Sequence, residues 1–459
     1  MPDLKSKPLR VVELFAGVGG FRLGLEGYDG MSPSSKYKNP MPRNFEVIWS
    51  NQWEPSTKIQ HANEVYLKNW PTSNHNTENI EEIIDRDPGL IPKHDLLVGG
   101  FPCQDYSVAT TLKSSKGLIG KKGILWWSIY SILEHQGENR PKYLMLENVD
   151  RLLGSPAYQR GRDFAVMLSC LARLGYNAEW RVINAAHYGM PQRRKRVFII
   201  GYLNSTSISN KLNETDDLKE WLTRSGLIAS YFHVENETGP TESFNVRVKP
   251  ETISKTFGVG QKKSQFKNTG VLQNGKVFSL QTKPVLLSRK TLRSILFRGK
   301  INDDYFINPS KKLSKILKKP QIGGKTKILR TELDMWNYLK GAKKEWRITS
   351  DRNDHSKQHR YRYAEGKMTY PDDKDQPSRT IITAEGGTSP SRFKHVIKVG
   401  NKFRRLLPIE LERLNMFPND HTKHPKITDA KRAFFMGNAL VVGIVEILGK
   451  GIYRFHNDL

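Results

Sequence analysis

Cysteine is nearly missing from this chain, with two among 459 residues, Cys103 and Cys170. Two thiols cannot staple a protein of this length, so a disulfide-framed scaffold is excluded and a reducing compartment, the cytoplasm, is expected. No uninterrupted apolar run reaches about 18 residues, so no segment is expected to span a membrane. The opening "MPDLKSKPLRVVELFAG" lacks the apolar core of a signal peptide, and no basic amphipathic helix suits a membrane surface. Internal repeats and long low-complexity tracts are also missing. Acid is scarce: 46 Asp and Glu stand against 74 Lys and Arg, a net charge of +28. An excess of that size points to a polyanion partner.

The excess is uneven. Residues 261–350 hold 22 Lys and Arg against 5 Asp and Glu, a net of +17. Glycine, proline, asparagine and serine break this segment into short elements with basic loops, as in "KKLSKILKKPQIGGKTK". Such loops suit phosphate contacts. A merely solvated basic face is the plain alternative, but like charges are costly to concentrate without a partner.

The first 200 residues read differently. "RVVELFAG", "FEVIWSNQWE", "HDLLVGG", "KYLMLENV", "NAEWRVINA" and "RRKRVFIIGY" are apolar strands. "GFRLGLEG", "STKIQHANEVYLKNW", "ILWWSIYSILEHQ" and "RDFAVMLSCLARLGY" are helices between them, the last ending at Gly175. Alternation of this kind predicts a doubly wound, mostly parallel α/β sheet with helices on both faces. The length allows two or more domains. Cys170 falls in an apolar helix at a core position and takes no role.

Cys103 is placed otherwise, in "GGFPCQDYS", a Gly/Pro turn after the strand "DLLVGG". A half-buried loop cysteine is the commonplace reading, but strand tips of α/β sheets are where catalysis sits. Two neighbouring tips carry chemistry as well. Glu147 ends "YLMLENV", and "PQRRKR" carries Arg194 and Arg196 two residues apart, which in a strand puts both on one face. A solvated glutamate or a phosphate-binding arginine pair is ordinary when found alone. A thiol, a carboxyl and two guanidinium groups on adjacent tips are a much rarer set. The first turn, "FAGVGG", exposes backbone at a helix start, but Arg22 occupies the third glycine position of the dinucleotide fingerprint. The second strand ends "NQWE", where an acidic or amide side chain meets a ribose and Trp53 can cover an adenine face.

These blocks resemble the cytosine-carbon-5 DNA methyltransferases of the restriction-modification type. The family's motifs occur here in order as "ELFAGVGGFRLGLE", "SNQWE", "GGFPCQDYS", "MLENV", "PQRRKRVF", "PSRTIITAEGG" and "MGNALVV". They cover about 1–203 and 377–448, and residues 204–376 match no block, as the family's variable target-recognition region would. The resemblance implies a Rossmann-like class I methyltransferase domain that binds S-adenosylmethionine and needs no metal. Cys103 would add to carbon-6 of a flipped-out cytosine, so that carbon-5 attacks the methyl group. Pro102 would stiffen that turn. Glu147 would bind nitrogen-3 and the amino group, with a raised pKa. Arg194 would bind oxygen-2 and help hold Cys103 as a thiolate, and Arg196 would steady Glu147. Phe15, Gly17, Gly19, Trp53, Pro102, Leu125, Asn438 and Ala439 would line the cofactor pocket. Residues 107–123 would form a lid.

Three positions depart from the family pattern. Glu13 ends the first strand where aspartate is frequent. Gln52 stands where the ribose glutamate is frequent, with Glu54 nearby as a substitute. The adenine turn reads "ENI", leaving Asn79 or Glu78 to serve. The resemblance further implies a discontinuous catalytic domain of 1–203 plus 430–459, around a recognition and bracing unit of 204–429. The partner would be double-stranded DNA bound by a monomer, without a membrane, in a prokaryotic cytoplasm at the nucleoid. A cognate endonuclease would give the modification a self-protecting role, with host regulation as the runner-up.

Other readings share some of these features. A transfer-RNA cytosine methyltransferase has the same catalytic blocks but is expected to have a short variable region. A nicotinamide oxidoreductase fits the sheet but not the glycine spacing. A DNA-binding protein with a dead site would not need all four polar groups. A zinc deaminase needs P-C-x-x-C, and residue 106 is Tyr.

Overall fold

A computed structural model describes residues 7–28, 44–55, 57–101, 125–236, 240–350 and 358–457. The six expected strands form in the expected order, joined by two two-residue strands that the sequence did not single out. They are β1 (Leu9–Leu14), β2 (Phe45–Asn51), β3 (His75–Asn76), β4 (Leu96–Gly100), β5 (Tyr143–Val149), β6 (Tyr176–Asn184), β7 (Gln192–Arg193) and β8 (Lys195–Leu203). The next five are β9 (Val234–Asn236), β10 (Glu242–Asn245), β11 (Thr269–Gln273), β12 (Lys276–Leu280) and β13 (Thr282–Pro284).

Ten of these strands make one sheet, in the order β10-β12-β11-β6-β8-β5-β4-β1-β2-β3. From β3 to β5 every pairing is parallel. Beyond β5 every pairing is antiparallel. The doubly wound α/β sheet is therefore present, with the glycine turn and the tips of β4 and β5 all in its parallel half.

Alternation along the strands explains why both faces are covered. Val11, Val98, Met145 and Ile200 point into one core layer, while Val12, Leu97, Leu144 and Ile199 point into the other. The helices Leu125–His135 and Arg162–Arg173 close the second layer. Cys170 is fully buried there, and burial pushes its thiol up to about 12. It stays protonated at neutral pH and is no nucleophile.

The C-terminal helix Val442–Asn457 packs on the short helix Gly20–Glu26, which follows the glycine turn. Val442, Ile444, Val445, Leu448 and Ile452 are all buried, a gross contribution of about 10 kcal/mol before entropy. The two helices meet at Gly24, where a Cβ would lie 2.6 Å from Val445. No single helix among the described residues is long and apolar enough to cross a membrane.

The sheet does not stop at residue 203, where the sequence suggests the first domain's edge. β10, β11 and β12 extend it through the pairing of β11 with β6, and β9 pairs with β13 alongside. Ile208, Leu227, Phe232, Leu292 and Ile295 also join the first core layer. A second, smaller core consists of Ile307, Trp336 and Val396, with Leu333, Tyr370 and Phe403 packed against it. Around it lie two hairpins, β14 (Lys312–Pro320) with β15 (Thr326–Thr331) and β16 (Lys343–Ser350) with β17 (Gln358–Glu365). The helix Glu332–Lys340 separates them. Short β18 (Ser378–Arg379) pairs with β7, and β19 (Val396–Val399) pairs with β20 (Lys402–Arg405).

Candidate active site

The glycine turn, the β2 tip, the ends of β4 and β5 and the start of β8 open onto one cleft of about 1470 Å³. A pocket for one drug-sized ligand is at most about 1000 Å³, so this cleft has room for more than a cofactor. Phe15, Gly17, Trp53, Glu54, Asn79, Leu125, Asn438 and Ala439 line one end. Glu147, Arg196, Lys195 and Lys267 line the same cleft.

Phe15 and Gly17 both have positive φ, 55° and 57°, so the chain folds back sharply after β1. A Cβ on Gly17 would meet no protein atom within 4 Å, so its backbone faces open cleft. Its amide donates to the Gln52 side-chain oxygen at 2.7 Å. That contact uses the acceptor of Gln52 and leaves Glu54 as the acidic side chain at this end. Asn79 caps the helix Ile80–Arg86 by accepting from the Glu81 amide at 3.1 Å. Glu78 instead pairs with Arg86 at 2.8 Å and does not line the cleft. An aromatic side chain, exposed backbone and one acid at the second strand tip fit a nucleoside-bearing cofactor such as S-adenosylmethionine.

Gly19 does not line the cleft. Its Cα faces the protein interior, where a Cβ would collide with the Trp70 ring. With φ at 82°, it serves the turn and its packing.

Glu147 sits opposite Gly100 across β4 and β5, and a Cβ on Gly100 would stand 3.3 Å from Glu147 Oε2. Arg196 reaches it from β8, its Nε 2.9 Å from Glu147 Oε1. Burial raises the Glu147 pKa, and Arg196 and then Arg194 offset part of that rise. The proton is therefore held to higher pH than in an exposed glutamate.

Arg194 and Arg196 both lie close enough to Glu147 to lower its pKa, but their guanidinium groups meet different partners. β7 ends at Arg193 and β8 begins at Lys195, so Arg194 lies between the two strands, its carbonyl accepting from the Ala185 amide at 3.0 Å. Its guanidinium is buried, donating to the Ile381 carbonyl at 2.9 Å and to those of Gly437 and Asn438 at 3.0 and 3.2 Å. Arg194 thus holds the wall at Gly437 and Asn438 and does not itself line the cleft.

Cys103, Pro102 and the lid 107–123 lie outside the described residues. The chain leads to them through Phe101, which lines the cleft and whose carbonyl accepts from buried Asn148 Nδ2 at 2.8 Å. Sequence reasoning passed over Asn148, although its place beside Glu147 on β5 already turns it to the opposite face. It also gave no role to Gln192, which is fully buried. Gln192 accepts from the Ile381 amide at 2.9 Å and donates to Asn415 Oδ1 at 2.6 Å. Glu13 lies behind the glycine turn, accepting from Tyr66 Oη at 2.9 Å and from the Arg22 amide at 3.3 Å. Burial pushes its carboxyl up to about 7.

Comparison with known proteins places this geometry in context. The model of the C-5 cytosine-specific DNA methylase family matches residues 9–454. The Type II methyltransferase M.Sau3AI of Staphylococcus aureus is 40% identical over 448 residues, 97% of this chain and 96% of that protein. M.HhaI of Haemophilus parahaemolyticus is 31% identical over 213 residues, 46% of this chain and 55% of its own. Among solved structures, the S. pombe Dnmt2 methyltransferase matches 98% of each chain with a TM-score of 0.53 at 15% identity. That last likeness is one of fold alone.

Proposed function

The chain belongs to the C-5 cytosine-specific DNA methylase family, and from that premise we propose how its cleft carries out the transfer. It is a DNA cytosine-5 methyltransferase of the restriction-modification type. S-adenosylmethionine supplies an electrophilic methyl group when bound. Phe15, Gly17, Trp53, Glu54 and Asn79 would hold it, with Leu125, Asn438 and Ala439 completing the wall and Pro102 added to it by the family resemblance.

The target cytosine leaves the duplex stack, because its carbon-6 is out of reach inside it. The Cys103 thiolate adds to carbon-6, and the ring electrons move toward nitrogen-3. We assign to Glu147, whose pKa burial raises, the proton that nitrogen-3 takes up as charge develops there. Arg196 fixes the other carboxyl oxygen, and because it lines the cleft while Arg194 does not, we assign to it the oxygen-2 contact that the resemblance gave to Arg194. Carbon-5, now nucleophilic, would take the methyl group as its bond to the sulfonium breaks and S-adenosylhomocysteine leaves. Loss of the carbon-5 proton and expulsion of the thiolate then restore the aromatic ring.

The carrying observation is the Glu147–Arg196 pair, set in the same cleft as the glycine turn and beside the chain leading to Cys103. The partner is duplex DNA bound by a monomer at the nucleoid, and a cognate endonuclease is the counterpart of the modification. We place the inserted recognition unit at about 303–403, around the second core, with the rest of the described chain in the catalytic body.

A duplex carrying 5-fluorocytosine at the target tests the covalent route, since fluorine cannot leave as a cation and elimination stalls after methylation. The expected result is a denaturation-resistant adduct mapped to Cys103 by mass spectrometry. Methylation of normal DNA with no adduct on the fluorinated duplex would overturn it.

A further inference from the structure

The hairpin β16–β17 is a separate two-stranded ribbon, paired in unbroken register from Lys343↔Glu365 to Ser350↔Gln358. Its two faces differ sharply. One carries Lys343, Glu345 and Arg347, whose charges are all matched. Lys343 pairs with Glu365 at 2.7 Å, Arg347 with Glu345 at 2.7 Å, and Tyr338 Oη donates to Glu345 at 2.7 Å. This face fastens the ribbon to the helix Glu332–Lys340 and its surroundings. The other face carries Lys344, Trp346 and Ile348 from β16, and Arg360, Arg362 and Ala364 from β17. It has no acidic residue. Lys344, Arg360 and Arg362 have no ion pair among the described residues, while Trp346 is 40% and Ile348 67% exposed.

Unpaired cations interleaved with exposed apolar side chains suit a partner that is anionic at its edges and flat and partly apolar within. A duplex groove has that character. A two-stranded ribbon fits the width of the major groove. Arg360 and Arg362, two apart on one strand, are spaced by roughly 6.7 Å, about two base-pair steps of 3.4 Å. The Arg360 guanidinium lies over the Trp346 ring at 4.7 Å, which orients its donor fork in advance. The neighbouring hairpin β14–β15 is joined to this one through the Ile322 amide and the Lys344 carbonyl at 2.8 Å. It is rich in lysine instead, including Lys315, Lys318 and Lys327, and lysines act as point charges for phosphates.

We propose that the Trp346–Arg362 face of β16–β17 is a base-reading element. In it, Arg360 and Arg362 each donate bidentately to guanine O6 and N7 in the major groove, and Ile348 packs on a thymine methyl. The proposal rests on the reading of duplex DNA as substrate and assigns sequence choice to particular side chains.

Binding selection of the full chain on a random-sequence duplex library tests it, with methylation of the enriched duplexes scored separately. Arg360→Lys and Arg362→Lys keep the charge but lose the fork. The wild type should enrich a defined sequence. Each lysine variant should lose about 5- to 150-fold of discrimination at one guanine, while affinity for unrelated duplex and its salt dependence stay within twofold. Ile348→Ser should relax a different position. Wild-type discrimination in both lysine variants would overturn the proposal, as would equal weakening on every sequence or a wild type that enriches nothing. Enrichment without methylation would instead count against the catalytic reading and leave the ribbon result standing.

Discussion

At the base of the cleft one carboxyl, Glu147, faces one guanidinium, Arg196, and both are largely withdrawn from solvent. On β16–β17 three cations face solvent with no acid on their side. In the first region burial changes what a group is: it raises the Glu147 pKa because charging the carboxyl there is costly, and Arg196 and Arg194 offset part of the rise. In the second region nothing is retuned, and the groups act through number, spacing and fork geometry. Chemistry therefore sits where charge is scarce and desolvated, and recognition where it is plentiful and wet. Changes in the cleft should alter rate at nearly constant DNA affinity, and changes in the ribbon domain should do the reverse.

The sharpest break of that contrast is at Cys103. Cys103→Ala should lower methyl transfer at least about a thousandfold while duplex binding, measured by anisotropy, stays within a few-fold. Ordinary turnover would remove Cys103 from the mechanism. Glu147→Gln keeps the size of the side chain but cannot shuttle a proton. It should cost about 100- to 10,000-fold in kcat, with little effect on DNA affinity in the same titration.

Arg194 and Arg196 divide the cleft more finely. Arg196→Lys should reduce kcat and leave thermal stability nearly unchanged, because Arg196 orients Glu147 from within the cleft. Arg194→Lys leaves buried carbonyls short of donors, so it should cost about 1–3 kcal/mol of stability in urea unfolding. It should also weaken S-adenosylmethionine binding in calorimetry, since Asn438 is one of the carbonyls it holds. If the two variants exchanged these effects, the assignment of the two arginines would be reversed.

Glu13 tests desolvation without chemistry. Its carboxyl titrates at about 7 in the fold against 4.5 for the free group, so the folded chain holds an extra proton between those values. The stability it contributes is complete below about pH 4.5 and is lost as pH rises through 7. The wild type should lose about 2–3 kcal/mol between pH 5 and 8 that Glu13→Gln retains. Parallel pH profiles for the two proteins would show that Glu13 is charged throughout.

The smallest change is expected in the basic hairpin. Neutralising Lys311, Lys312 and Lys315, all exposed, should flatten the slope of log affinity against log salt by up to about two to three units if all three touch phosphate. Loss should be uniform across sequences, and cofactor affinity should not change. An unchanged slope with the fold intact by circular dichroism would move the DNA path away from β14.

Much of the cleft was legible in the sequence because strand tips are local features. "DLLVGGFPC", "YLMLENV" and "ELFAGVGG" each show an apolar run meeting a turn, and parallel sheets gather such ends on one edge. The covering of both faces by helices was legible too, from runs such as Val11–Val12 and Leu96–Leu97–Val98, which the structure sends to opposite layers. The basic segment was legible as charge. Gly19 could not be judged, since whether a turn glycine faces ligand or protein depends on Trp70, some fifty residues on.

By itself, then, the sequence determined the order of the elements, the α/β sheet with both faces covered and the excess of positive charge. Each of these follows from side-chain type and short-range period. The tertiary structure alone decided that β7 breaks before β8, which sends Arg194 to the Gly437 and Asn438 carbonyls and leaves Arg196 to Glu147. It alone decided that β10, β11 and β12 join the main sheet, and which face of β16–β17 is spent on internal ion pairs. The reason is the same in each case: periodicity says which side of a strand a residue occupies, but the partner waiting on that side comes from chain brought in from far away.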